Sequence, residues 1–241
     1  MVLPFSIGKR WATVICSSCS MVSVPQKQNV RHQPMTRILV MLTSLFLGAV
    51  LLLGLGRLTH YQTQPGPVGQ VPENLTSAVL ASLSNSSAAP TGGAEGVHSS
   101  EPTWQLLVFV HPKCPCTRAT IHNLDLVSRR SDLRLEIIPV IFRPLHGDAK
   151  WLETDNTRRL ATLTRRSLVD DEDSQLARQF NVQVSGHCLL YDCAGRLRFS
   201  GGITASRGHE GRCRTLAALT KTLEGHSIDQ TRWPVYGCQM Y

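Results

Sequence analysis

The sequence predicts an α/β sandwich around a central mixed sheet, preceded by one transmembrane helix and a flexible linker. Three observations carry that expectation. Residues 38–56, "ILVMLTSLFLGAVLLLGLG", contain no ionisable side chain, and at about 1.5 Å per residue the run is roughly long enough to cross a bilayer core. Residues 57–103 turn to Ser, Gly, Pro, Ala and Asn, as in "QPGPVGQVPENLTS" and "LSNSSAAPTGGAEG", with too little apolar surface to offset chain entropy. Residues 104–241 alternate short apolar runs with segments of helical period, as strands and helices of one layered domain do.

Charge orients the first of these segments. Residues 1–37 hold five basic residues, Lys9, Arg10, Lys27, Arg31 and Arg37, and no acid; the first acid in the chain is Glu73. Lys and Arg beside an apolar span mark its cytoplasmic flank. Residues 1–37 are therefore expected as a basic cytoplasmic leader and residues 104–241 as an extracytoplasmic domain, periplasmic in a bacterium. A cleaved signal peptide usually has an apolar core of about 7–15 residues and a small-x-small cleavage site, so this longer run favours an uncleaved anchor. Met35 is an alternative start, because "MTRILVMLTSLFLGAV" has the basic-then-apolar layout of an anchor by itself. Taking the five leading basic residues from the net charge of +8 leaves +3. With no basic helix interleaved with aromatics, nucleic acid is excluded as a partner.

Within the domain, "WQLLVFV" and "LRLEIIPVIF" read as buried strands flanking a helix in "TRATIHNLDLVSRR", with apolar residues at Ile121, Leu124 and Val127. "TDNTRRLATL" predicts a second helix and "TRRSLV" a third strand. "DEDSQLARQF" predicts a short helix whose acidic first turn suits its dipole. "CLLYDCAGRLRFSGG" predicts a hairpin turning through "DCAG", and "CRTLAALTKTLEG" a last helix.

Chemistry concentrates in "HPKCPC", residues 111–116, between the first strand and its helix. A helix N-terminus stabilises an anion by roughly 0.3–1 kcal/mol, and Lys113 and Arg118 add positive charge. Cys114 is expected as the nucleophilic thiolate and Cys116 as its resolving partner. A disulfide closing the small ring around Pro115 would be strained and easily reduced. The rival chemistry is metal binding by His111, Cys114 and Cys116, whose soft donors suit copper or zinc, with His209 or Cys238 completing the shell. A third alternative makes these cysteines ordinary buried thiols or structural bridges. An extracytoplasmic setting favours bridges among Cys188, Cys193, Cys213 and Cys238, without fixing their connectivity. "CSSC", Cys16 to Cys19, reads as two unpaired thiols in the leader. The glycine-rich "GGITASRGHEG" offers Arg207 to a substrate and His209 for proton transfer with a cysteine, or is simply a polar loop.

The strand "LLVFV", the loop "HPKCPC" and the block "VDDEDSQLARQFNVQVSGHCLLYDCAGRLRFSGG" resemble thioredoxin-like thiol-disulfide oxidoreductases. More closely, "CPCTRA", "SGH", "LLYD", "GRLRFSGGITASRGHEG" and "PVYGC" resemble the membrane-anchored thioredoxin-like proteins called RedB, over most of residues 104–238. The resemblance implies a thioredoxin-like sandwich, a protein thiol or disulfide substrate and no bound organic cofactor. Two departures accompany it. Cys116 takes the place of the family's second cysteine and Lys113 that of the first, with Cys114 between them. The family's proline beside the active site, usually cis, falls near Ser185 and Gly186, which are expected in its place in the substrate loop. A non-catalytic interaction domain that kept the fold is the remaining alternative.

Overall fold

The computed structural model describes residues 34–76, 83, 103–130 and 134–241, and divides into two compact units after Leu51. Most of the leader, including Cys16 and Cys19, and linker residues 77–82 and 84–102 lie outside the described residues.

Helix α1, Pro34–Thr63, is 30 residues long and carries no acid in its first turn. It is long and apolar enough to cross a membrane, with its apolar side chains exposed. It outruns residues 38–56 at both ends because no proline interrupts the chain until Pro65, where a helix must stop.

The domain is built on a five-stranded mixed sheet in the order β3-β2-β1-β4-β5. β1 is Trp104–Val110, β2 Leu135–Arg143, β3 Val169–Glu172, β4 His187–Tyr191 and β5 Leu197–Gly202. β1 pairs parallel with β2 and antiparallel with β4, while β2 takes β3 parallel and β4 takes β5 antiparallel. Helices are α2, Pro115–Ser128; α3, Asp155–Ala161; α4, Gln175–Gln179; and α5, Arg214–Leu223, with a 3-10 turn at Ala149–Leu152. The βαβ unit followed by a hairpin and helix makes this a thioredoxin-like fold.

Side-chain alternation along β1 splits the core in two. Leu106, Val108 and Val110 face Ile121, Leu124 and Val127 of α2 and Leu216 and Leu219 of α5. Leu107 and Phe109 face Leu176, Ala177 and Phe180, together with Val71 and Leu75. Those last two belong to residues 64–76, assigned by composition to the linker but here laid against the domain. Leu75 N donates to Gly195 at 2.7 Å, Leu197 N to Glu73 at 2.7 Å, and the Tyr191 hydroxyl to Pro72 at 2.9 Å. The free edge beside β5 supplies the backbone partners, so this stretch needs few apolar residues of its own.

Two elements depart from the sequence pattern. Pro139 sits inside β2, opposite Val108, but the β3 ladder starts only at Val140, so its missing N–H breaks no bond on that side. The third strand is not "TRRSLV" but Val169–Glu172, which absorbs the acids expected in the next helix. The first turn of α4 accordingly holds no acid. Asp171 reaches it from the strand instead, accepting from Leu176 N at 2.7 Å and Ala177 N at 3.1 Å.

Candidate active site

β1 ends at Val110, and the chain turns through His111–Lys113 into α2, with Cys114 as the extended N-cap residue and Pro115 in the first turn. A proline is favoured there, because its absent N–H is one the helix leaves unpaired. Cys116 therefore lies inside the first turn, not in the loop before it. The turn is held from two sides. Asn156 donates through Nδ2 to Pro112 O at 2.9 Å and Cys114 O at 3.3 Å. Thr117 Oγ1 donates to His111 O at 3.0 Å.

A third cysteine joins the pair. Cys114 Sγ lies 2.6 Å from Cys238 Sγ, and the sulfurs of Cys114, Cys116 and Cys238 all lie within 4.8 Å of one another. Cys114 is buried; Cys116 and Cys238 are partly exposed. Sequence reasoning left Cys238 as one bridge candidate among four and a possible extra ligand. Only the path of the C-terminal segment brings it here. That segment follows β5, with Trp233 N donating to Ser200 O at 2.7 Å and Gly202 N to Pro234 O at 3.0 Å. It then crosses to residues 183–185, where Val184 and Gln239 form an antiparallel bridge.

This crossing bears on the proline that the resemblance leads one to expect near Ser185 and Gly186. Ser185 N donates to Cys238 O and Gly186 N to Phe109 O, both at 2.8 Å, and a proline at either place would lose the bond made there. The peptide bonds are all trans among the described residues. Ser185 Oγ also accepts from His111 N at 2.9 Å and pairs with Thr117 Oγ1 at 3.0 Å. Gly237 packs so tightly on the Ser185 carbonyl that a Cβ would collide with it. Ser185 and Gly186 thus do line the cysteine loop, but their backbone donors are taken by the chain itself.

Arg207 is likewise engaged internally. Its guanidinium donates to Gly237 O and, at 3.1 Å, to Tyr61 O, and it stacks 4.6 Å over the Tyr61 ring. His209 is not in the sulfur cluster; its backbone N donates to Ser206 O at 3.2 Å and its Nδ1 is buried without a partner. His111 is also outside the cluster. Its Nδ1 accepts from Lys113 N at 3.2 Å and its ring stacks on Phe142 at 5.0 Å. Burial, reinforced by the charge of Lys113, lowers its pKa.

The remaining cysteines form no bridge: all six described cysteines are free thiols. Cys188 is buried in β4, Cys193 is exposed in the hairpin turn, and Cys213 caps α5, its sulfur accepting from Leu216 N at 3.4 Å.

Electrostatics at the cluster differ from the expected pattern. Burial pushes the Cys114 thiol up, but the Cys238 thiol and the backbone N–H groups of Cys116, Cys238 and Thr117 outweigh it, leaving Cys114 below its ordinary value. Lys113 and Arg118 have other partners: the Lys113 ammonium sits 3.4 Å over the Trp151 ring, and Arg118 pairs with Glu210 at 3.7 Å. Cys116 is raised by burial and by the Cys114 charge, with Arg207 opposing. Cys238 is pushed up to about 12, by burial and then by its hydrogen bond to Cys114. Of the three cysteines, Cys114 alone is shifted toward its thiolate, while Cys116 and Cys238 are shifted away from theirs.

The three sulfurs, all within 4.8 Å of one another, offer a pair for sulfur exchange and equally three soft donors of the kind zinc and copper take.

Fold and site together define a thioredoxin-like domain with a three-cysteine cluster at the N-terminus of its first core helix. No family model matches the chain, and no curated protein does. Among solved structures, it is similar to a hypothetical protein from Sinorhizobium meliloti 1021, 18% identical with a TM-score of 0.49, over 74% of this chain and 96% of that one. An uncharacterized conserved protein from Geobacillus kaustophilus is 19% identical with a TM-score of 0.47, over 72% and 91%. A secreted Mycobacterium tuberculosis disulfide oxidoreductase, described as homologous to E. coli DsbE, is 14% identical with a TM-score of 0.36, over 51% and 81%.

Proposed function

We propose that this is a membrane-anchored thiol-disulfide oxidoreductase of the RedB type, acting on extracytoplasmic protein thiols through the thiolate of Cys114. The observation that carries it is the gathering of three sulfurs within 4.8 Å around a stabilised thiolate. Exchange requires a thiolate and a second sulfur in reach, and no organic cofactor. Helix α1 is the anchor, and the basic residues before it put the N-terminus in the cytoplasm. The test is thiol trapping of the full chain in detergent across a series of glutathione redox buffers. One two-electron couple should appear and vanish in Cys114→Ser; a chain whose Cys114 stays reduced throughout would overturn the proposal. Protease added to spheroplasts should remove the domain, and protection would reverse the orientation.

A second reading, a copper or zinc carrier, draws on the same three donors with Cys238 in place of His111. Stoichiometric metal retained through purification, and lost in Cys114→Ser, would favour it.

A further inference from the structure

We infer that Cys238, rather than Cys116, is the covalent partner of Cys114, and that the exchanging disulfide joins these two sulfurs across the C-terminal segment. The inference rests on the oxidoreductase proposal and names the second sulfur of its couple. The two sulfurs are in direct contact at 2.6 Å, and bonds on either side of Cys238 hold that contact. Gly237 O accepts from Arg207, Cys238 O accepts from Ser185 N, and Met240 N donates to Gln183 O at 2.9 Å. Cys116 shares the cluster and its thiol also reaches Cys114, but a bond between those two would close a strained three-residue ring around Pro115, which a bond to Cys238 avoids.

Exposure assigns the direction of entry. Cys114 is 3% exposed, while Cys238 is partly exposed. In the oxidised pair, a substrate thiolate attacks Cys238 Sγ; the Cys114–Cys238 bond breaks and Cys114 leaves as the thiolate. A second substrate thiolate then attacks the substrate sulfur of the mixed disulfide, releasing the substrate disulfide and the Cys238 thiolate, which takes a proton. The substrate dithiol loses two electrons and the cysteine pair gains them. A low-molecular-weight or protein disulfide, such as glutathione disulfide, reoxidises the pair and is itself reduced to two thiols. The hydrogen bonds that stabilise the Cys114 thiolate also make it the better leaving group.

The experiment oxidises the full chain in detergent with glutathione disulfide, alkylates the remaining thiols and maps the linked peptides by mass spectrometry. Wild type and Cys116→Ser should both yield a Cys114–Cys238 link. Cys238→Ser should yield no internal link to Cys114, and its glutathione adduct at Cys114 should persist roughly tenfold or more longer than in Cys116→Ser. A Cys114–Cys116 link in wild type, retained in Cys238→Ser, would overturn the inference and leave the oxidoreductase proposal standing. Failure of Cys114 to form any link or adduct in all three proteins would overturn both. The Cys116→Ser arm decides the matter even where Cys238→Ser does not fold.

Discussion

The backbone N–H of Ser185 donates to the carbonyl of Cys238 at 2.8 Å, so the residue at this position must carry an N–H. A proline here, Ser185→Pro, removes that bond and the hydroxyl contacts to Thr117 and His111. Loss of stability by about 1–3 kcal/mol is expected, together with faster alkylation of Cys238. Urea unfolding and timed iodoacetamide labelling measure the two effects, and unchanged labelling would contradict the Ser185 anchor.

Donation from Cys238 is one cause of the lowered Cys114 pKa. Serine at position 238 keeps a donor of similar size, whereas alanine keeps none. The apparent pKa of Cys114, followed by its alkylation rate against pH, should therefore be higher in Cys238→Ala than in Cys238→Ser. Equal values would assign the stabilisation to the backbone N–H groups alone.

Arg207 joins the C-terminal segment to the last turn of α1, through Gly237 O and Tyr61 O. Arg207→Ala should release Gly237 and raise the alkylation rate of Cys238 several-fold. It should also raise the pKa of Cys116, which Arg207 lowers. Arg207→Lys keeps the charge but cannot reach several carbonyls at once, so it should restore the second effect more than the first.

Two buried groups give opposite pH dependences of stability. Burial raises Asp171 from 3.8 to about 6, so the folded state binds the extra proton and this group's contribution is lost as pH rises through that window. Burial lowers His187 from 6.5 to about 4; the unfolded state binds the extra proton, and stability is lost as pH falls through 6.5 toward 4. Between pH 4 and 6, Asp171→Asn should make the slope of unfolding free energy against pH more positive, and His187→Gln should make it less positive. Denaturant titrations at several pH values report both signs.

The core strands were legible because burial on both faces writes them as apolar runs, as in "LLVFV" and "CLLY". The hairpin was legible because Asp192 and Gly195 carry a turn's own chemistry: Asp192 Oδ1 accepts from Ala194 N and Arg196 N, and Gly195 has φ +73°. β3 was misplaced because its acidic residues look like a helix start, and only Asp171's reach to the α4 amides shows why they are there. Cys114 and Cys116 stood out through local spacing. Cys238 did not, since nothing in "PVYGC" records that its sulfur packs on a helix made much earlier in the chain. Ser185 was visible as a departure, but its cause lies in a hydrogen bond to that same distant residue.

The separation of Cys114 and Cys238 by 124 residues also sets an order of events during biosynthesis. At about 5–20 residues per second, the ribosome makes Cys114 roughly 6–25 s before Cys238. Throughout that interval the helix N-terminus carries Cys116 but lacks the sulfur that later covers it. Under the proposed extracytoplasmic placement, a nascent chain offers Cys114 to other disulfides before its distant partner exists, and arrival of the last strand-like segment closes that opportunity.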